Sequence, residues 1–191
     1  MFKKVILIGL IFLISSCTSE SNYSFYGSNI SKANLDSSFE LISHNGDVKK
    51  IDDFQGSVVA IFFGFTHCPD ICPTSLQELK IINKNLANLS NQFQVLFVSL
   101  DPSRDKPELL KKYVPSFDKS FIGLTGSQDQ IDKIASQYKI FHKKVGDEKN
   151  YTIDHSSGIY LLDKNGNIRV RYPYGSKIDG MVDDIKYLIS I

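Results

Sequence analysis

Cys68 and Cys72 stand four residues apart in the run Gly64-Phe65-Thr66-His67-Cys68-Pro69-Asp70-Ile71-Cys72-Pro73. Two thiols at that spacing do one of two kinds of chemistry. They clamp a soft metal ion, or they cycle between dithiol and disulfide. If the segment is helical, positions i and i+4 share a face and lie about 6 Å apart along the axis. That separation reaches disulfide geometry after a small adjustment, and it also lets two sulfurs converge on one ion. A helix amino end lowers thiol pKa values, and both functions profit from it, so thiolate character does not separate them.

Metal identity discriminates better. Two thiolates and one imidazole make a three-coordinate set suited to Cu(I), to which Cu(II) adds a further ligand. Structural zinc asks for four protein ligands and iron–sulfur clusters for more cysteines, whereas this chain has three cysteines in all. Among the four histidines, His155 in Thr152-Ile153-Asp154-His155-Ser156-Ser157 stands directly before an apolar strand. A loop there can bring it beside the pair; a local hydrogen-bonding role is the alternative. His67 adjoins Cys68 and is expected to point away from the sulfurs, while His142 and His44 read as surface residues. Asp70 adds negative charge between the cysteines, near a cation or a basic partner. Asp101 and Arg104 lie in Asp101-Pro102-Ser103-Arg104-Asp105 at a strand end on the same expected sheet edge. They orient the site loop through ion pairs or form a docking surface, or else they only cap their own turn.

The elements that must position these residues follow from the hydrophobic pattern. Val58 to Phe65 is a continuous apolar run, which predicts a central strand buried on both faces. A helix is expected from about Thr74 to Asn88, with Pro73 in its first turn. A second buried strand covers Phe93 to Leu100. Shorter strands are expected at Phe39–Ile42, Val48–Ile51, Phe121–Leu124 and Ile159–Leu162, with an edge-like strand at Ile168–Tyr172. Asn45-Gly46 marks a hairpin turn between the first two. Helices are expected after Lys106, at Gln128–Tyr138 behind a Ser127 cap, and from Lys177 to Ile191. Phe141 to Tyr151 reads as irregular and polar. Strands interleaved with helices predict an α/β sheet covered on its faces. The Cys68 loop then lies at the carboxyl end of a central strand, where open α/β sheets place their ligands.

The amino end, Met1-Phe2-Lys3-Lys4 followed by an apolar run from Val5 to Ile14, describes an export signal or anchor over residues 1–16. Ile14-Ser15-Ser16-Cys17 resembles a lipobox, so Cys17 is a candidate for lipidation; an uncleaved anchor is the alternative. Removing Cys17 from the count leaves the other two cysteines as a matched pair. Residues 17–35 are rich in Ser and Asn and read as a flexible tether, and 36–191 as one domain. With 22 basic and 21 acidic residues in 191, nothing draws the chain as a whole to nucleic acid.

Three ordered motifs resemble the SCO/SenC family of cytochrome c oxidase copper-assembly proteins: Gly64 to Pro73, Ser99-Leu100-Asp101-Pro102-Ser103-Arg104-Asp105-Lys106-Pro107, and Asp154-His155-Ser156. The resemblance implies a thioredoxin-like fold with a membrane-tethered amino end. It implies copper bound by Cys68, Cys72 and His155, with Asp154 orienting the ligand loop. It further implies a metallochaperone for the dinuclear copper centre of cytochrome c oxidase subunit II, held on the bacterial inner membrane with its soluble domain in the periplasm. Other copper chaperones or thiol reductases are further expected partners. The alternative is a tethered thiol–disulfide oxidoreductase, with Cys68 and Cys72 catalytic, that keeps the partner's copper-ligand cysteines reduced. Three residues between the cysteines, where thioredoxin-like enzymes have two, weaken a general reductase role. A thiol peroxidase using Cys68, Thr66 and Arg104 is a third reading, and it leaves His155 unexplained.

Overall fold

The computed structural model describes residues 23–147 and 150–191. The segment 1–16, Cys17 and the start of the expected tether lie outside them. In chain order the elements are β1 (Ser28–Asn29), β2 (Glu40–Ser43), β3 (Val48–Lys50), β4 (Val58–Gly64), α1 (Ile71–Asn85), β5 (Phe93–Ser99), α2 (Pro107–Phe117), β6 (Ile122–Thr125), α3 (Gln128–Gln137), β7 (His142–Gly146), β8 (Tyr151–His155), β9 (Ile159–Leu162), β10 (Ile168–Tyr172) and α4 (Ile178–Ser190).

Among the described residues eight strands form one mixed sheet in the order β1-β10-β9-β4-β5-β6-β2-β3. β4 is central, parallel to β5 and antiparallel to β9. All seven β4 residues are buried, as a strand covered on both faces requires. Successive β4 side chains point to opposite faces. Phe63 meets Tyr138 at the end of α3 and Tyr160 of β9, whereas a Cβ on Gly64 would touch the Cys72 sulfur in α1. So α1 and α3 cover opposite faces. α4 packs on α1, and α2 on β6. The Ser127 cap forms as expected: its Oγ accepts from Gln130 N at 3.2 Å while Ser127 N donates to Gln130 Oε1 at 2.8 Å. Such a cap contributes about 1 kcal/mol.

Four expectations need correction. The stretch 141–151 is not irregular, because β7 and β8 pair antiparallel as a separate hairpin, Gly146 opposite Tyr151 and His142 opposite His155. The apolar alternation that would have signalled it is nearly missing, since Ile153 is the only buried residue among its ten strand positions. Residues 23–35 are not free tether. β1 pairs with β10, and Tyr23 stacks on Tyr187 of α4 at 3.7 Å between centroids. β10 is therefore not an edge. His44 is not at the surface but buried, and its Nδ1 accepts the Gly123 N–H at 2.9 Å. Among the described residues no helix is long and apolar enough to cross a membrane.

Candidate metal and thiol site

The chain leaves the carboxyl end of β4 and turns at Thr66 to Asp70 before α1 begins at Ile71. Cys68 therefore precedes the helix, and Cys72 occupies its first turn. Pro73 is accommodated there because the first helical N–H groups have no intrahelical partner in any case. The two cysteines are not bonded to each other, Cys68 partly exposed and Cys72 buried. Cys72 N–H points at Cys68 Sγ across 3.5 Å. The helix amino end does not prevail at Cys72: burial, and secondarily the neighbouring Cys68, push its thiol far above the usual range. Without a bound cation Cys72 is a neutral thiol at neutral pH, held where thiolate would be costly.

Gly64 makes room for that sulfur. A Cβ at this position would stand 2.8 Å from Cys72 Sγ and 3.0 Å from the Phe97 ring. Tyr113 packs its ring on Phe97 at 5.9 Å. Its hydroxyl is buried, with no hydrogen-bond partner among the described residues.

His155 is the last residue of β8. Its ring meets that of Phe65 edge-on, with centroids 6.0 Å apart. Nδ1 lies 3.0 Å from the Ser156 carbonyl oxygen. A carbonyl only accepts, so Nδ1 carries the proton and Nε2 keeps a free lone pair. Burial lowers the pKa of His155 below 6.5, so the ring is neutral at pH 7. Fixing one ring nitrogen so that the other can ligate is the usual arrangement of metal-binding histidine. In this arrangement no three His, Cys, Asp or Glu side chains among the described residues are grouped closely enough to hold one ion.

The segment between β5 and α2 grips both halves of the site. Asp105, at the end of the same acidic segment, is fully buried. Its carboxylate accepts from Thr66 N at 3.0 Å, Thr66 Oγ1 at 2.6 Å and Ser99 Oγ at 2.6 Å. It thereby fixes the start of the cysteine loop, with His67 Nδ1 at 3.9 Å. Asp101, also buried, pairs with Arg104 Nε and accepts the Tyr151 hydroxyl at 2.8 Å. Arg104 Nη1 donates to the Tyr151 carbonyl at 3.0 Å, and its guanidinium lies 3.7 Å from the Tyr151 ring centroid. The same segment thus also holds the hairpin that carries His155. Tyr151 escaped sequence reasoning, and so did the pairing of Thr66 with Asp105, because each acts across the fold. The signal available was the repeated acid in Asp101-Pro102-Ser103-Arg104-Asp105.

The remaining expected residues stand apart. Asp70 is exposed at the helix N-cap, 3.5 Å from Thr74 Oγ1. Asp154 is exposed on the outer face of β8, opposite Lys143. It reaches His155 through its charge. His142 pairs with Asp132 at 3.3 Å. Thr66 bonds to Asp105, and Arg104 pairs with Asp101. Gly158, at φ 153°, fills the position before β9; a Cβ there would meet Tyr172 O at 2.8 Å.

Comparison with known proteins gives consistent matches. A family model described as SCO1/SenC matches residues 27–190. A SCO2-like protein of Rickettsia prowazekii is 44% identical over 138 residues, covering 71% of this chain and 67% of that protein. Among solved structures, Arabidopsis thaliana ScoI with copper bound superposes with a TM-score of 0.75 at 32% identity, covering 80% of this chain and 96% of that one. A SCO1/SenC family lipoprotein from Bacillus anthracis gives a TM-score of 0.71 at 26% identity, covering 81% and 94%.

Proposed function

Because the chain belongs to the SCO1/SenC family, we propose that it captures Cu(I) on Cys68, Cys72 and His155 and passes it to the dinuclear copper centre of cytochrome c oxidase subunit II. Two sulfurs and an imidazole suit Cu(I), and a low coordination number leaves room for an incoming ligand during exchange. The observation that carries this reading is the Nδ1 bond of His155 to Ser156, which leaves Nε2 free beside the cysteine loop. The copper-bound Arabidopsis ScoI supports it from outside the chain. Burial of Cys72 adds a direction. A neutral buried thiol must release its proton to ligate, so copper binding expels protons and apparent affinity rises with pH. Because the three donors are not grouped in this arrangement, capture draws the sulfurs and His155 together.

Residues 1–16 serve as the export segment and Cys17 as the lipidated attachment point on the bacterial inner membrane, with the domain on the periplasmic side. The lipobox-like Ile14-Ser15-Ser16-Cys17 and the Bacillus anthracis lipoprotein support this. The test of function mixes the copper-loaded chain with the metal-free soluble copper domain of subunit II. Transfer of copper within minutes, faster than spontaneous release to a chelator, supports delivery. Transfer no faster than release to the chelator excludes it. Reduction of the partner's disulfide by the metal-free dithiol chain, with no metal moved, would establish the reductase reading instead.

A further inference from the structure

We propose that Tyr151 is the positioning residue for His155, acting through a latch onto the Asp101–Arg104 pair. β8 alternates, with Thr152 and Asp154 exposed while Tyr151, Ile153 and His155 turn inward. Tyr151 and His155 therefore share one face of one strand, about 13 Å apart by the rise of a strand. His155 sits where the hairpin joins the body, beside the bonds between Phe141 and Ser156. Tyr151 sits at the far end, opposite Gly146.

That end and the middle of the hairpin are held by four contacts to a single segment, three from Tyr151 and one from Lys144 opposite Ile153. They are the Tyr151 hydroxyl to Asp101 at 2.8 Å, Arg104 Nη1 to the Tyr151 carbonyl at 3.0 Å, the guanidinium on the ring at 3.7 Å, and Lys144 Nζ to Ser103 Oγ at 3.3 Å. The hairpin has little apolar burial of its own, and a two-stranded ribbon is marginal without packing. The polar latch therefore does what a core would do elsewhere. It fixes the strand's position and the face it turns inward, since a slip of one residue would send His155 outward. Arg104 Nη2 is buried and has no partner among the described residues. The guanidinium so keeps a donor in hand for a second arrangement of the hairpin, such as the drawing together that copper capture requires. The consequence for copper rests on the function proposed above; the latch itself does not.

The test compares the full chain with its Tyr151→Phe and Tyr151→Leu variants. Phe keeps the ring under Arg104 and loses the bond to Asp101; Leu loses both. In the metal-free protein, amide exchange across 142–155 should rise about tenfold in the Phe variant, the loss of one hydrogen bond to a buried charge, and further in the Leu variant. The core strands β4 and β5 should keep their protection. The His155 ring carbon-bound proton should shift in NMR in the same order, and Cu(I) release to a chelator should accelerate alongside. Unchanged hairpin exchange and an unshifted His155 signal in the Leu variant would overturn the proposal. So would exchange that rises equally in β4 and β5. If the parent chain binds no Cu(I), the copper function fails, while exchange and the His155 signal still decide the latch.

Discussion

At the scale of single residues, small groups are placed where any larger group would disturb the sulfurs. Gly64→Ala would set a Cβ 2.8 Å from Cys72 Sγ and 3.0 Å from Phe97. Because that sulfur is part of the core, the clash should cost about 1–3 kcal/mol in urea denaturation and weaken Cu(I) binding in parallel. His44 carries a pH dependence whose sign follows from its surroundings. Burial, aided by the charge of Lys111, lowers its pKa from the ordinary 6.5. Below 6.5 the unfolded chain takes up a proton that the folded chain resists. This contribution to stability is therefore intact above pH 6.5 and is lost as pH falls through the lowered folded value. His155 acts in the same direction. Stability measured from about pH 7.5 to 5 should decline, and His44→Gln should flatten that decline; an equally steep decline in the variant would contradict the assignment. The cysteine pair stands out in the sequence by type and spacing, whereas His155 is there one of two readings, ligand or local hydrogen-bonding residue, and only the family resemblance joins it to the pair. The role of Asp105 stayed open, since an acid that orients a loop 39 positions away looks in sequence like one that caps its own turn.

At the scale of elements, strongly apolar segments were read closely and polar ones were not. β4 and β5 declared themselves by unbroken apolar runs, and α3 by its Ser127 cap ahead of Ile131 and Ile134. The β7–β8 hairpin has one buried residue and is held by cation–π contacts, hydrogen bonds and an ion pair, none of which leaves a periodic trace in sequence. The N-terminal strap is the same case. Tyr23 and Phe25 pack on Tyr187, and the buried Asp184 carboxylate gathers the Tyr23 hydroxyl at 2.9 Å, Tyr26 N at 2.9 Å, Gly27 N at 3.3 Å and the Tyr172 hydroxyl. Four donors on one buried acid are a long-range arrangement that Ser- and Asn-rich composition conceals. Asp184→Ala should orphan them, lowering stability by about 3 kcal/mol. Limited proteolysis should then cut within residues 23–33, β1 included, ahead of any cut in β2 to β10. A variant with unchanged stability and a protected strap would contradict this account.

At the scale of the molecule, the carboxyl ends of β4 and β5 set the cysteine loop and the Asp101–Asp105 segment side by side. The cysteine loop leaves β4, the Asp101–Asp105 segment leaves the parallel neighbour β5, and the second of these binds both the first and the His155 hairpin. Parallel pairing of β4 and β5 explains why Thr66 and Asp105, 39 positions apart, meet; the alternation of strands and helices pointed to a sheet covered on its faces without giving its strand order. The central claim is that Cys68, Cys72 and His155 form one Cu(I) site. It is tested most directly by anaerobic Cu(I) titration of the reduced protein beside His155→Ala, with X-ray absorption counting the neighbours of the metal. One copper with two sulfurs and one imidazole nitrogen, the nitrogen lost in the variant, is the result predicted. No stoichiometric copper, or the same ligand count in both proteins, would contradict it.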